Sequence, residues 1–436
     1  MLTDARPAVD FIPEPASAPD LGLDRGILID LSLKSLFYRG RMTRTELADA
    51  LCIAGSATQE LLQAISQDDL AHVLGSEGGS GPSHYVYALT QKGLDRAEEA
   101  FARSGYVGAA PVPLAQYIKQ VEAQAIGASA VSPEQVRTVL GDLVMPEETI
   151  RRVGRAASSR RSTLIHGPSG NGKTTVARAL GHALSGSILI PHALEIAGHV
   201  VHLYDPSKHT LIPDEVADRR SSILKSRMDR RWVRIERPVI WAGGELTRHS
   251  LELMHDETTR VYEAPLQLKA NGGTMIIDDF GRQQMPAVEL LNRWIGALEG
   301  GVDHLTMHTG QTIAVPFDVL VLFSTNLTPS ALADDAFLRR IRYKIELPNP
   351  TREEFLVILR RECERQGVRW SEPTAAYLIE RWYLAESRDL RGCHPRDLCD
   401  AIVDASRYDG TPPELTAETL EEACATYFLK PLEATA

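Results

Sequence analysis

The chain has 436 residues, of which 43% are hydrophobic and 24% are charged, and its formal net charge is -11. This is the composition of a globular protein, the length predicts two to four domains, and the lack of a run of about 18 apolar residues argues against a membrane span. An acidic chain can bind nucleic acid only through a local basic patch. Five cysteines without a CxxC pair predict free thiols in a reducing cytoplasm.

The N-terminal quarter predicts a tail followed by a small helical domain. Residues 1–21 are rich in Pro, Ala and acids, and predict a disordered tail that lacks the pattern of a secretory signal. Residues 22–104 predict three helices, two strands around a Gly-rich turn and a closing helix, an order that resembles a winged helix-turn-helix. Thr43 and Glu46 have the spacing of a capping box. Residues 105–150 predict a linker with a helical lead-in.

The remaining chain predicts two further domains. Strands alternate with helices over residues 151–350, which predicts an α/β domain with a mostly parallel sheet. Within it, residues 188–212 predict an inserted hairpin turning at Ala197-Gly198, and residues 231–246 predict a second strand pair. Residues 351–436 predict an all-helical region. Four histidines of the insertion lack the spacing of metal ligands, which favours surface or hairpin positions: His192, His199, His202 and His209.

A phosphate-binding loop follows the first strand of the α/β domain. Residues 166–180, HGPSGNGKTTVARAL, match GxxxxGK[ST] between an apolar strand and a helical pattern. In such a loop, backbone N–H groups and the helix N-terminus bind phosphates, the Lys reaches the β- and γ-phosphates, and the hydroxyl binds Mg²⁺. The residues predicted to bind ATP are Gly167, Pro168, Ser169, Gly170, Asn171, Gly172, Lys173, Thr174 and Thr175.

Polar residues follow two later apolar strands and begin one late helix. GGTMIIDDFGRQ (272–283) ends a strand in two acids, which predicts that Asp278 holds Mg²⁺ through water and that Asp279 polarises the attacking water. Three further segments contribute an Asn after a strand, two neighbouring arginines and an Arg at the start of a helix. Each is weak evidence for a site by itself, and the order in which they follow the phosphate loop is the informative feature. They place Asn326 in 315–327, Arg339 and Arg340 in 336–341, and Arg396 in 392–398.

This ordered set resembles the AAA+ ATPases over about residues 150–430. The resemblance implies that Asn326 is sensor 1, which orients the lytic water, and that Arg396 is sensor 2 on a helical lid. It also implies an arginine finger that reaches the γ-phosphate bound by a neighbouring subunit, with Arg340 as first choice and Arg339 as second. A finger that acts in trans implies a ring, and a hexamer is expected. A guanidinium suits this role because it stays charged and donates several hydrogen bonds.

Two features refine the resemblance. Most of the family ends the second acidic strand in Asp-Glu, whereas this chain has Asp-Asp, with a side chain one methylene shorter. Initiator-type and helicase-loader-type members also have Asp-Asp, which implies that activity survives the change. Slow turnover and a nucleotide switch that binds ATP stay open as alternatives. The run from residue 262 to 301 resembles members with a hairpin before sensor 1, which include magnesium-chelatase-like, MoxR-like and enhancer-binding ATPases. Residues 302–318 predict that hairpin around Thr309-Gly310. The GAFTGA loop of the enhancer-binding activators is missing.

The role of the N-terminal domain separates two functions. The first is a ring ATPase that remodels or assembles a protein client recruited by this domain, and the alternative is a DNA-associated loader, initiator or regulator. Residues 22–104 contain eight basic and eleven acidic residues, and the candidate recognition helix at 56–70 has no Lys or Arg. Because DNA affinity depends mainly on phosphate neutralisation, protein docking is favoured. A small basic cluster keeps the DNA reading open: Arg39, Arg41 and Arg44.

Overall fold

A computed structural model describes most of the chain. The described residues are 11–77, 79, 81, 84–125, 131–141, 143–159, 161–184, 186–213, 228–332 and 338–428.

The helices of the described ranges are α1 (Arg25–Arg39), α2 (Arg44–Leu51), α3 (Gly55–Gln67), α4 (Gln91–Arg103), α5 (Leu114–Gln124), α6 (Pro133–Leu140), α7 (Glu147–Ser159), α8 (Lys173–Ala183), α9 (Leu266–Lys269), α10 (Ala287–Gly300), α11 (Pro329–Leu332), α12 (Arg352–Gln366), α13 (Glu372–Leu378), α14 (His394–Asp409) and α15 (Ala417–Tyr427). Short 3-10 turns lie at Pro19–Leu21 and His249–Leu251, and a π-helical turn at Ile379–Leu384. Among the helices described, none is long and apolar enough to cross a bilayer.

The strands are β1 (Met42–Thr43), β2 (Ala71–Ser76), β3 (Tyr85–Leu89), β4 (Val112–Pro113), β5 (Thr163–His166), β6 (Ser187–Pro191), β7 (Ala193–Ile196), β8 (His199–His202), β9 (Trp232–Glu236), β10 (Val239–Ala242), β11 (Met254–Asp256), β12 (Val261–Glu263), β13 (Thr274–Ile277), β14 (Val302–Thr306), β15 (Thr312–Pro316), β16 (Leu320–Thr325) and β17 (Tyr343–Glu346).

The N-terminal unit packs three helices and α4 against a small antiparallel sheet in the order β1-β3-β2. The predicted order of elements is present, and Thr43 and Glu46 form the expected capping box at the start of α2. Leucines from α1, α2 and α3 form its core because their apolar residues recur at helical spacing.

The prediction of a disordered tail over residues 1–21 is wrong for residues 11–21, and residues 1–10 lie outside the described ranges. Leu21 is fully buried in the core of the N-terminal unit. The Ala18 N–H donates to the Glu60 carboxylate at 2.9 Å, and the Ser56 hydroxyl donates to the Ala16 carbonyl at 2.5 Å. Residues 11–21, here termed the N-terminal strap, therefore cover the start of α3. Composition alone missed this because one buried Leu and two side-chain contacts order the segment.

A five-stranded parallel sheet forms the centre of the α/β region, in the order β10-β13-β16-β5-β17. Strands β13 and β16 are buried along their full lengths, which explains why they read as unbroken apolar runs. Helices α6, α7 and α8 cover one face. Helix α10 covers the other, where Trp294 is fully buried beside Phe280 and Phe323. This confirms the predicted mostly parallel sheet.

A second layer of strands lies beside the central sheet. Strands from the first inserted hairpin, from the linker and from residues 254–263 form a mixed sheet in the order β11-β12-β8-β7-β4. The hairpin turn at Ala197-Gly198 is confirmed, with both residues at positive φ. The hairpin of β14 and β15 before residue 326 is also confirmed, and Gly310 has φ 84° in its turn. The predicted linker contributes β4 and α5, because Val112 and Tyr117 are fully buried in this layer.

The strand pair predicted over residues 231–246 is wrong. β9 pairs with β6 in a separate two-stranded sheet, whereas β10 pairs with β13 in the central sheet. Only Arg237-Pro238 joins β9 to β10; Pro cannot adopt the positive φ of a type I′ turn, and Arg237 lacks the positive φ that a type II′ turn needs. The chain therefore passes from one sheet to the other at this dipeptide.

Helices α12 to α15 form a separate core around Phe355, Leu398 and Cys424, all fully buried. The predicted all-helical character of this region is confirmed. Thr351 and Glu354 form a capping box that starts α12 directly after the last strand of the central sheet. The residues just before α14 contact the loop that follows β5, since the Gly392 N–H donates to Asn171 Oδ1 at 3.0 Å.

Candidate nucleotide-binding site

The phosphate-binding loop connects β5 to α8, as predicted. Gly167 has φ 140°, and a Cβ there would lie 2.2 Å from the Leu347 carbonyl oxygen. Gly170 has φ 85°, and a Cβ there would lie 2.4 Å from Cys393 Sγ. Both positions require glycine, because their φ angles are positive and because other segments of the same chain approach them closely. The loop is thus held between Leu347, which follows β17, and Cys393, which precedes α14.

Lys173 and Thr174 open α8 at the bottom of the site. The Lys173 ammonium donates to the Pro168 carbonyl at 2.8 Å, within the loop. Burial lowers its pKa, the carboxylates of Asp278 and Asp279 raise it, and Arg391 lowers it further. The Thr174 hydroxyl lies 3.0 Å from each carboxylate oxygen of Asp278. A hydroxyl and a carboxylate so placed are the oxygen donors that Mg²⁺ prefers, so this pair fits the predicted ion.

Asp279 and Asn326 meet at the ends of neighbouring strands. The Asn326 side-chain N–H donates to Asp279 Oδ1 at 3.4 Å. Asp279 is exposed and has φ 49°, a left-handed conformation that Asp tolerates better than most residues. The turn that carries it is tied to β16, because the Phe280 N–H donates to the Ser324 carbonyl at 2.7 Å. The exposed carboxylate is therefore held at a fixed position beside an amide.

These side chains line one cleft of about 550 Å³ between the central sheet and the C-terminal helices. Lys173, Thr174, Asp278, Asp279 and Asn326 line its polar side. An apolar wall faces them, of the kind that covers a nucleotide base. It contains Leu143, Val144, Met145, Pro146 and Ile358. The cleft thus offers a phosphate cradle, an oxygen pair for Mg²⁺ and an apolar wall, which together fit ATP.

Arg396 lies at the mouth of this cleft, on the first turn of α14. Its guanidinium donates to Asp397 Oδ1 at 2.7 Å, and the Tyr427 hydroxyl donates to the other oxygen of that carboxylate at 2.7 Å. The predicted sensor-2 residue is therefore beside the cleft, on the helical region, and oriented by its neighbour.

Arg339 and Arg340 do not line this cleft. Arg340 Nε donates to Glu299 Oε1 at 3.0 Å, and its carbonyl accepts from the Ser162 hydroxyl at 3.1 Å. Arg339 is exposed at the same turn. The structure places this pair at the opposite end of β5 from the phosphate loop, so neither arginine contacts the nucleotide site of its own chain.

Sequence reasoning missed the residues that join the loop to the C-terminal helices. Asn171 bonds to Asn349, which follows β17, and to Gly392, which precedes α14. Its partners lie 178 and 221 residues away in sequence. The apolar wall at 143–146 was equally unmarked. No local pattern reveals such contacts, because they depend on how distant segments pack.

The four histidines of the insertion lie in the second layer and not at the cleft. His209 Nδ1 accepts from the Asp205 N–H and its Nε2–H donates to the Lys269 carbonyl, and burial lowers its pKa. His199 packs edge-on against Tyr262. His192 contacts Tyr204, and His202 contacts Tyr106. Across the described ranges, no group of three His, Cys, Asp or Glu side chains is placed to hold a metal ion.

Comparison with known proteins adds one family match. A family model described as a domain of unknown function, DUF8689, matches residues 351–426, which correspond to helices α12 to α15. No curated protein matches the chain.

Several solved structures have a similar arrangement. NtrX from Brucella abortus in complex with ATP is 17% identical, with a TM-score of 0.40, and 65% of this chain and 56% of that chain are covered. The same protein in complex with ADP is 17% identical, with a TM-score of 0.41 and coverages of 79% and 69%. A mutant of RuvB from Thermotoga maritima is 14% identical, with a TM-score of 0.39 and coverages of 66% and 72%. The chain thus spans 56% of the ATP-bound NtrX chain. Identities of 14–17% and TM-scores of 0.39–0.41 establish neither family nor function for this chain.

Proposed function

We propose that this protein is an AAA+ ATPase that hydrolyses ATP in the cleft described above. The observation that supports this most strongly is the convergence of residues from distant parts of the sequence. The phosphate loop supplies Lys173 and Thr174, the end of β13 supplies Asp278 and Asp279, and the end of β16 supplies Asn326. A parallel sheet brings the carboxyl ends of its strands to one edge, where nucleotides bind in such folds.

Each side chain has a separate role in this proposal. Lys173 exchanges the Pro168 carbonyl for the β- and γ-phosphates, where its charge is better satisfied. Thr174 and Asp278 would hold Mg²⁺, which would supply positive charge beside the phosphates when bound. Asp279 takes a proton from the attacking water, and Asn326, already within reach of Asp279, orients that water. Aspartate is one methylene shorter than glutamate, so the water must lie closer to the strand end.

The finer part of the proposal is a ring in which Arg340, with Arg339 as second choice, completes the site of the neighbouring subunit. Its support is that the pair lies away from the cleft of its own chain and at a turn exposed in part to solvent. In this account the ion pair of Arg340 with Glu299 is exchanged for contact with the γ-phosphate of the neighbour. The hexamer remains the expected ring size.

Complementation between two inactive variants tests the ring. Arg340→Ala removes the finger and keeps the cleft, whereas Asp279→Asn removes the base and keeps the finger. Neither variant alone releases phosphate, but an equal mixture restores activity because about a quarter of the clefts combine an intact base with a neighbour's finger. Arg339→Ala in place of Arg340→Ala assigns the finger between the two. A mixture as inactive as its components contradicts a finger acting in trans.

We further propose that the N-terminal unit is a winged-helix-like module that recruits a protein client. Its candidate recognition helix α3 is covered at its start by the N-terminal strap through Glu60 and Ser56. Arg230, which lies just before β9, binds Asp49 at 2.6 Å and the carbonyl of Ile53 at 2.7 Å, directly before α3. The start of α3, where such a helix would enter a DNA groove, is therefore bonded to other segments of the chain, which favours a protein client over DNA.

DNA-binding measurements separate the two functions. The expected result is no retention of the full chain on duplex DNA at about 50 mM salt, where phosphate contacts are strong. Salt-sensitive binding that Arg39→Ala and Arg41→Ala abolish would instead support the DNA-associated alternative. Capture of a partner by the Asp279→Asn protein held with ATP then identifies the client.

A further inference from the structure

A single side chain of the phosphate-binding loop joins three separate segments. Asn171 Nδ2 donates to Asn349 Oδ1 at 2.8 Å, and Asn171 Oδ1 accepts from the Gly392 N–H at 3.0 Å. Asn349 lies in the connection from the central sheet to α12, and Gly392 lies just before α14. The loop is thus tied both to the hinge at which the helical region begins and to the part of that region over the cleft.

The orientation of the Asn171 amide follows from its partners. The Gly392 N–H can only donate, so the carbonyl oxygen of Asn171 must face it, and the NH₂ group must then face Asn349. Among uncharged short side chains, only an amide offers an acceptor and a donor on separate atoms at this span. Ser or Thr would reach one partner. Asp could only accept hydrogen bonds, so Asn349 would have to rotate its amide and donate.

The helical region lies directly on the loop at this point. A Cβ on Gly170 would collide with Cys393 Sγ, and a Cβ on Gly392 would lie 3.2 Å from the Gly170 carbonyl oxygen. Cys393 caps α14, and Arg396 stands on the first turn of the same helix. A change in the separation of Asn171 and Gly392 therefore moves the start of α14, and Arg396 moves with it.

We propose that Asn171 is a positioning residue that holds the helical region closed over the phosphate loop and thereby places Arg396 at the nucleotide. This inference rests on the proposed nucleotide-binding function and assigns the loop side chain that communicates with the lid. The side chain contributes through Arg396 and the hinge, whereas its backbone belongs to the phosphate cradle.

The first test needs no nucleotide. Hydrogen exchange at the Gly392 amide is measured in the nucleotide-free full chain, in the wild type and in Asn171→Ala. The Asn171→Ala variant is expected to lose protection at Gly392. Ser169→Ala, which alters another, exposed residue of the same loop, is expected to retain it. Asn349→Ala, which removes only the hinge arm, gives a partial loss and serves as the second variant if Asn171→Ala is unstable. Unchanged protection in both Asn171→Ala and Asn349→Ala overturns the proposal.

The second test is a double-mutant cycle on ATP binding. Asn171→Ala is expected to weaken binding about 5- to 150-fold, as loss of two neutral hydrogen bonds would. If Asn171 contributes through Arg396, adding Asn171→Ala to Arg396→Ala weakens ATP binding little further. The ratio of the change in KM to the change in kcat should also be the same for the two single variants. Fully additive losses overturn the proposal. A wild-type chain that binds no ATP refutes the proposed function, whereas the exchange measurement still tests separately whether Asn171 holds the helical region on the loop.

Discussion

Replacing Thr174 with Val tests the Mg²⁺ pair at the centre of the site. The two side chains have nearly the same shape, so the substitution removes the hydroxyl and leaves the packing of α8 intact. That hydroxyl lies 3.0 Å from both oxygens of Asp278. A hydrogen bond to a charged group contributes about 1.5–3 kcal/mol, which corresponds to a roughly 10- to 150-fold change in affinity. We expect a loss of this size for ATP in the presence of Mg²⁺.

The magnesium dependence makes this prediction specific. Titration of ATP, followed by calorimetry, is compared with and without a chelator for the wild type, Thr174→Val and Thr174→Ser. The valine variant should bind ATP like the wild type when Mg²⁺ is removed, because Lys173 and the loop backbone are unchanged. The serine variant keeps the hydroxyl and should remain close to the wild type in both conditions. An equal loss for Thr174→Val with and without Mg²⁺ would refute the assignment of Thr174 to the ion.

Two stability predictions follow from buried charges. Asp229 and Arg231 form an ion pair with side chains 2% and 1% exposed, and Arg231 also donates to the Leu21 carbonyl. Asp229→Ala leaves a buried cation and should lower the free energy of unfolding, measured with denaturant, by about 3–5 kcal/mol. A loss below about 1 kcal/mol would contradict this. Burial lowers the pKa of Lys34 to about 8 from 10.5, so the unfolded chain binds this proton more tightly and wild-type stability should rise between pH 8 and pH 10.5. Lys34→Met should be more stable than the wild type at pH 7, by at most about 3 kcal/mol, and this advantage should shrink across that window. A constant difference between the two proteins would show that Lys34 is not the group responsible.

The central features of the site could be predicted because their signals are local. Glycines, Lys173 and Thr174 occupy adjacent positions between a strand and a helix, and Asp278 ends an apolar run. Parallel strands then bring these ends to one edge of the sheet without further information. Asn326 was found in the same way. The two hairpins were also predictable, since positive φ at Ala197, Gly198 and Gly310 agrees with their turn positions.

The remaining features depend on contacts between distant segments. Arg237-Pro238 separates β9 and β10 by a length typical of a hairpin, and only the pairing of β9 with β6 shows that the chain changes sheets. The strap over α3 is fixed by Leu21 and by Glu60, 42 residues beyond Ala18. The bonds of Asn171 likewise join segments whose proximity depends on how the helical region packs. Sequence periodicity does not encode any of these distances.

Single-turnover hydrolysis tests the central claim most directly. Purified protein in excess over radiolabelled ATP is followed for phosphate release with Mg²⁺, for the wild type and for Asp279→Asn. The account predicts magnesium-dependent release by the wild type, and release by the variant reduced by about 100-fold or more while ATP binding persists, because the proton acceptor is lost. Equal rates for the two proteins would contradict Asp279 as the base, and the absence of any release by the assembled wild type would contradict an ATPase.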